Sequence, residues 1–261
     1  MELPEDLNDQ LEKTFPEQGM GTIARAIFGL AADATTQSYL SGIGSSLRGF
    51  LTALKGDDPS AAEQALVALY VCLHRAGSTY SASERKVLAT GNGYSCHPGG
   101  LSPLIMAKSF IRPDSVVADL GAGNGLQGLL LQRIRPHRRT LQIELSAEMI
   151  RVGQIFQRAL GISADRVEWI NDDIRNVDLE RADFIYIYRP VKPFDGGCDI
   201  YRTIAYRLSV IRKQLTILSV ADCLAEFLDD SFSLSYTDGH LTCFTKVSQR
   251  IVQGKGPFLP T

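Results

Sequence analysis

The sequence predicts an α/β fold in which a doubly wound, mostly parallel seven-strand sheet with a terminal antiparallel hairpin follows an all-helical N-terminal domain. Three observations lead there. From residue 116 onward extended and helical segments alternate, which implies parallel strands joined by right-handed crossovers. Residues 1–90 carry helical periodicity alone. Near the C-terminus two extended runs flank Thr237-Asp238-Gly239, a hairpin turn whose glycine supplies the positive backbone angle.

In chain order, residues 22–32 and 36–54 place apolar side chains at three- and four-residue spacing, as half-buried helices require. Asp58-Pro59 opens a third helix, with Asp58 as N-cap and Pro59 in the first turn, running through Leu66, Leu69 and Leu73. Ser81-Ala82-Ser83-Glu84 starts a short fourth helix as a capping box. Residues 91–100, GNGYSCHPGG, hold four glycines and a proline and mark the domain boundary, so that 1–92 form the helical domain and 93–261 the α/β domain. Ser102-Pro103 repeats the cap-then-proline signal and begins a helix to residue 110. Strands are expected at 116–120, 140–143, 167–170, 182–188 and 215–220, with helices at 126–135, 147–160 and 199–213 between them; 231–236 and 240–247 form the hairpin.

Composition narrows the function classes. Of the 261 residues 44% are apolar and 21% charged, the balance of an ordinary globular protein. The formal net charge of -2 provides no global basic field, so a nucleic-acid partner is not indicated by charge. Five scattered cysteines without a CxxC pair read as reduced, intracellular protein, and Cys96-His97 lack the two further ligands a structural zinc site needs, so no metal is expected. The N-terminus is acidic and no apolar run approaches the roughly 20 residues that span a bilayer, which predicts a cytoplasmic protein with no membrane partner.

The chemistry concentrates in Val116-Val117-Ala118-Asp119-Leu120-Gly121-Ala122-Gly123-Asn124-Gly125, an apolar strand that runs into three alternate glycines and then a helix. Such glycines let the backbone turn tightly and approach a ligand, and the helix start offers free N–H groups to a carboxylate or phosphate. A dinucleotide fingerprint would need its third glycine at 126, where Leu126 stands. Nineteen residues past Gly125, Glu144 ends the second strand, where an acid can take both ribose hydroxyls of a nucleoside; Leu145 follows it. Its other reading is a capping or exposed glutamate. After the third strand comes Asn171-Asp172-Asp173-Ile174, where an acid can accept from an adenine amino group while Ile174 covers the ring. Asp173 is the first choice and Asp172 the slip-by-one alternative; a solvated acidic turn is the plain reading.

The DLGAGNG stretch resembles the first motif of the class I, seven-strand, Rossmann-like S-adenosylmethionine-dependent methyltransferases. The resemblance implies a transferase that binds S-adenosyl-L-methionine through Asp119, Gly121, Ala122, Gly123, Asn124 and Gly125, through Glu144 and Leu145, and through Asp172, Asp173 and Ile174. It also implies that Tyr188, Arg189 and Pro190, ending the fourth strand, face the transferable methyl, with Tyr188 and Arg189 as the catalytic candidates. Tyr186 and Tyr188 read alternatively as strand packing. An Asn/Asp-Pro-Pro-Tyr signature and a Pro-Cys pair are both absent, which turns the expectation away from nucleic-acid acceptors. A tyrosine near this strand end, with Ser102-Pro103 opening the helix ahead of the glycines, resembles some seven-strand protein-lysine methyltransferases. The expected acceptor is therefore a protein lysine or a small molecule.

Methyl transfer from a sulfonium is an in-line displacement on an activated carbon, and positioning alone can supply on the order of 7–11 kcal/mol, so the lack of a catalytic triad is no objection. An amine acceptor must also lose a proton to an acid, a tyrosine or a water path. The N-terminal helices either cover the cofactor mouth as a lid or acceptor-binding domain, with contacts from 94–97, or only stabilise the core or join a homodimer. The rival functions are a non-catalytic S-adenosylmethionine-binding protein and a Rossmann-type NAD(P) oxidoreductase.

Overall fold

The computed structural model describes residues 5–16, 19–40, 42–77, 80–90 and 100–247. Within them lie α1 (Glu5–Thr14), α2 (Met20–Ala32), α3 (Ala34–Tyr39), α4 (Ile43–Leu54), α5 (Pro59–His74), α6 (Ala82–Thr90) and α7 (Ser102–Phe110). The α/β part follows as β1 (Val116–Leu120), α8 (Leu126–Ile134), β2 (Arg139–Glu144), α9 (Ala147–Ala159), β3 (Val167–Asn171), β4 (Phe184–Tyr188), α10 (Gly196–Ser209), β5 (Leu215–Val220), β6 (Phe232–Thr237) and β7 (Leu241–Lys246). All seven expected strands form within two residues of their predicted bounds.

The helical segment departs from the reading in three places. The apolar stretch 36–54 is two helices, because Asp33 caps α3 through Thr36 N at 2.8 Å and Gly42, at φ 94°, turns the chain into α4. Residues 5–14 form α1, which their acidity concealed. Ser102 does not cap α7: Leu101 occupies the N-cap without a side-chain bond, and Ser102 is the first helical residue. Two other caps form as expected, Asp58 accepting from Ser60 N at 2.9 Å, and the Ser81–Glu84 box exchanging bonds of 2.6 and 3.2 Å.

The sheet order is β3-β2-β1-β4-β5-β7-β6, with β1 to β5 parallel and β7 antiparallel to both of its neighbours. Strand periodicity then sorts side chains onto two faces. Val117, Tyr186 and Leu218 join a core built with α1, α2, α4, α5, α7, α8 and α9, so the N-terminal helices and the sheet share one buried cluster. Ala118, Leu120, Ile185 and Ile217 join the other core, closed by α10 through Ile200, Tyr201, Ile204 and Leu208. The described cysteines, Cys72, Cys198, Cys223 and Cys243, are free. Among the described residues no helix is long and apolar enough to cross a membrane, and no cluster of three or more His, Cys, Asp or Glu side chains could hold a metal.

Candidate cofactor-binding site

The strand order reverses between β1 and β4, and a doubly wound sheet opens a crevice at the carboxyl ends of the strands there. An open cleft of about 870 Å³ occupies that place. Its walls bring together Gly121, Ala122, Gly123, Glu144, Leu145, Asp172, Asp173, Ile174, Tyr188 and Arg189 from the expected set.

The loop after β1 is held by its neighbour strand. Gly121 N and Ala122 N both donate to Ile143 O, at 3.0 and 2.9 Å, and Gly123 N donates to Glu144 Oε2 at 2.8 Å. Gly121 at φ 75° lies against Pro190, whose Cβ would stand 2.3 Å from an added Cβ, so any larger residue would displace the β4 end. Gly123 at φ 60° faces the cleft, where a Cβ would meet only the flexible Met149 Cε at 3.2 Å.

Glu144 is buried at the end of β2, and its Oε1 accepts from Ser146 N at 2.8 Å. Burial raises its carboxyl above the ordinary value, while the N–H groups of Ser146 and Gly123 work against that rise. A carboxylate offers about four lone-pair positions, and the backbone N–H groups of Ser146, Gly123 and Leu145 leave it room to accept from a ligand hydroxyl.

Asp119 and Asn124 stand behind the loop and do not line the cleft. Asp119 is fully buried, accepts from Gly128 N in the first turn of α8, and is pushed up to about 7 by burial, with Glu144 adding to the rise. Asn124 donates to Leu73 O, His74 O and Ala76 O at 2.8, 3.1 and 3.1 Å and accepts from Leu126 N at 3.3 Å. It thus closes the C-terminal end of α5 and ties that helix to the glycine loop. Asp119 and Asn124 thus take two of the N–H groups that the start of α8 was expected to offer a ligand. Gly125, at φ 69°, does not line the cleft, and an added Cβ would stand 2.3 Å from Trp169.

At the β3 end, Asp173 accepts from Arg175 Nε at 2.9 Å and Nη2 at 2.5 Å; burial opposes it, but these bonds hold its carboxyl below the usual range. Asp172 is exposed and accepts from Asp173 N and Asn176 Nδ2. Ile174 is buried against the cleft wall. At the β4 end, burial raises the phenol of Tyr188 although its oxygen accepts the Gly100 N–H, and its ring lies 6.4 Å from that of Tyr186. Arg189 takes φ 43°, and its buried Nε has no hydrogen-bond partner among the described residues.

The sequence reading missed several wall residues. His74, Tyr80, Val87 and Leu88 come from the N-terminal helical segment, Gln127 and Met149 from α8 and α9, and Arg175, Val191 and Ile200 from the other side. Gln127, one residue inside the helix that follows the glycines, was the readable one; it donates to Tyr70 at 2.9 Å. Glu84 Oε1 accepts from Ala147 N at 3.2 Å, pinning α6 over the start of α9. The expected contacts from 94–97 fall outside the described residues.

A seven-strand sheet whose β7 alone runs backwards, with a glycine loop after β1 and a buried glutamate ending β2, decides the fold. It is the doubly wound fold that the resemblance to the class I methyltransferases implies. Among solved structures the chain is similar to an RNA methyltransferase from Salinibacter ruber in complex with S-adenosyl-L-homocysteine, at 17% identity and a TM-score of 0.47, covering 60% of this chain and 97% of that one. It is also similar to a putative rRNA methylase from Clostridium thermocellum, at 18% identity and 0.46, covering 57% and 96%. TrmN from Thermus thermophilus aligns at 17% identity and 0.43, over 56% of this chain and 47% of that one. No family model matches the chain, and neither does any curated protein sequence. The functional reading therefore rests on the cleft.

Proposed function

We propose that this chain binds S-adenosylmethionine in the cleft between β1 and β4 and transfers its methyl group to an acceptor. The observation that carries the reading is Glu144. Its carboxylate is fixed by Gly123 N–H and Ser146 N–H and lines the cleft, where it can accept from a ribose diol. Gly121 and Gly123 supply the open backbone beside it, and Ile174 with Leu145 the apolar cover for a purine. Asp172 is the freer adenine partner, because Asp173 is already engaged by Arg175.

When bound, the cofactor supplies a methyl group on a positively charged sulfur. The protein orients, encloses and excludes water. Tyr188 and Arg189 stand at the β4 side of the cleft, toward the acceptor, and burial raises the Tyr188 phenol above its ordinary value. Tyr80, Val87 and Leu88 extend the wall from the N-terminal helices, which favours the lid or acceptor-binding reading for that segment. Protein lysine and small molecules remain the acceptors to try first, and RNA belongs beside them, since a net charge of -2 says nothing about the local charge at this cleft.

Calorimetry with S-adenosylhomocysteine beside NAD tests the cofactor; binding of NAD alone would establish the oxidoreductase reading in its place. Transfer of label from S-adenosylmethionine to lysate RNA, protein or small molecules tests the activity. Binding without any transfer would leave a non-catalytic binder.

A further inference from the structure

We propose that Arg189 is the anchor for an anionic group, a carboxylate or a phosphate, carried by the methyl acceptor close to the atom that is methylated. The inference rests on the methyltransferase reading above and extends it to the chemistry of the acceptor.

Arg189 lines the cleft at the end of β4, yet it forms no ion pair with any described carboxylate, and its buried Nε has no hydrogen-bond partner among the described residues. The acids of the cleft are engaged elsewhere. Glu144 is held by Gly123 N and Ser146 N, Asp173 by Arg175, and Asp172 by Asp173 N and Asn176 Nδ2. Residues 91–99 contain no acidic side chain that could pair with it. A buried guanidinium N–H left without an acceptor is costly, and such groups in a native fold call for a specific explanation.

Backbone conformation points the same way. Arg189 takes φ 43°, in the left-handed region that side chains rarely adopt, and strain of this kind persists where the surroundings impose it for a function. Pro190 follows immediately and packs on Gly121, so the turn that aims Arg189 is locked to the cofactor loop.

Electrostatics supplies the last step. A guanidinium near a sulfonium methyl would repel the cofactor's positive charge, unless an anion lies between the two or against the guanidinium. An acceptor bearing that anion would neutralise Arg189 and draw its own nucleophile toward the methyl. The planar fork of arginine suits two parallel bonds to a carboxylate or phosphate.

The test titrates inorganic phosphate, and separately acetate, into the full chain saturated with S-adenosylhomocysteine at low ionic strength. Wild type is compared with Arg189→Gln and Arg189→Lys, and circular dichroism verifies that each variant is folded. We expect at least one anion to bind the wild type, at least tenfold weaker binding to Arg189→Gln, an intermediate loss in Arg189→Lys, and S-adenosylhomocysteine affinity within threefold throughout. Preference for phosphate assigns a phosphoryl-bearing acceptor, and preference for acetate a carboxylate. The proposal is overturned if neither anion binds the wild type, or if Arg189→Gln binds both as well as the wild type does. It is overturned equally if Arg189→Gln weakens S-adenosylhomocysteine tenfold but leaves 5′-methylthioadenosine unaffected, because Arg189 would then hold the cofactor's own carboxylate. Failure of the wild type to bind S-adenosylhomocysteine would instead remove the methyltransferase reading, and titration without it would still show whether Arg189 holds an anion.

Discussion

At the β1 end of the cleft the positive φ angles belong to glycines, Gly121 at 75°, Gly123 at 60° and Gly125 at 69°, whereas beyond β4 and β5 they belong to Arg189 at 43°, Asp195 at 52° and Ala221 at 55°. Glycine adopts this region at no steric cost, while each other residue there stores on the order of 1–3 kcal/mol. Polar groups divide similarly. Gly121 N and Ala122 N donate to Ile143 O and Gly123 N to the Glu144 carboxylate, while Arg189 Nε and Asp222 Oδ2 lack partners among the described residues. The loop at the first end is organised by its own hydrogen bonds without a ligand; the second holds a strained Arg189 whose Nε, in the cleft wall, a further molecule can satisfy. Substitutions at the two ends should therefore fail in different ways.

The largest effect is expected from Gly123→Val. A β-branched residue at φ 60° is strained, and its side chain would enter the cleft, where only Met149 Cε comes close. Binding of S-adenosylhomocysteine should fall below detection in calorimetry while the far-ultraviolet spectrum stays native. Retained affinity would show that the ligand does not rest on this loop.

Asp119 Oδ2 and Gln142 Oε1 are exceptions at the first end, since neither has a partner among the described residues. The Asp119 carboxyl rises from 3.8 to about 7, chiefly through burial. Between about pH 4 and 7 the folded state then holds a proton that the unfolded state has lost, so stability falls as pH rises through that window, by roughly 4 kcal/mol in all. Asp222, raised to about 6 by burial, adds a loss of the same sign between about 4 and 6. Urea unfolding at pH 5 and pH 8 should show a drop that shrinks in Asp119→Asn; an unchanged drop would place its origin elsewhere.

Glu144→Ala comes next. Removing one partner of a charge-assisted hydrogen bond costs about 1.5–3 kcal/mol, so affinity should weaken on the order of ten- to a hundredfold. A loss below about twofold would mean that the carboxylate serves only Gly123 and Ser146.

Much of this was readable because local chemistry and tertiary position agree. The run 116–125 had to be a strand entering a glycine turn, and Glu144 had to end the next strand, so both reach the cleft as expected. Asn124 shows the limit. In sequence it is a polar residue inside a ligand-binding loop, but its amide serves carbonyls 48–51 residues earlier, a pairing no local pattern reveals. His74, Val87 and Leu88 were invisible for a related reason, because a helical residue that walls a cleft looks the same as one that packs a core.

Tyr188→Phe should have the smallest effect on the fold and the cofactor, and it addresses the β4 end directly. The hydroxyl accepts one N–H, from Gly100, so its removal should cost on the order of 1 kcal/mol of stability. Its ring remains to pack beside Tyr186. If the phenol meets the acceptor, S-adenosylmethionine affinity should stay within threefold and turnover should fall about tenfold, since an interaction made only in the transition state lowers rate without altering ground-state binding. Turnover can be followed by slow hydrolysis of the cofactor or by labelling of lysate, so the acceptor need not be known. Because burial holds the phenol above its ordinary value, the wild-type rate should show no loss attributable to tyrosine ionisation around neutral pH, and the variant should keep the same profile at a lower level. Were affinity and stability to fall together with turnover unaffected, Tyr188 would belong to the strand's packing, and the β4 end would rest on Arg189 alone.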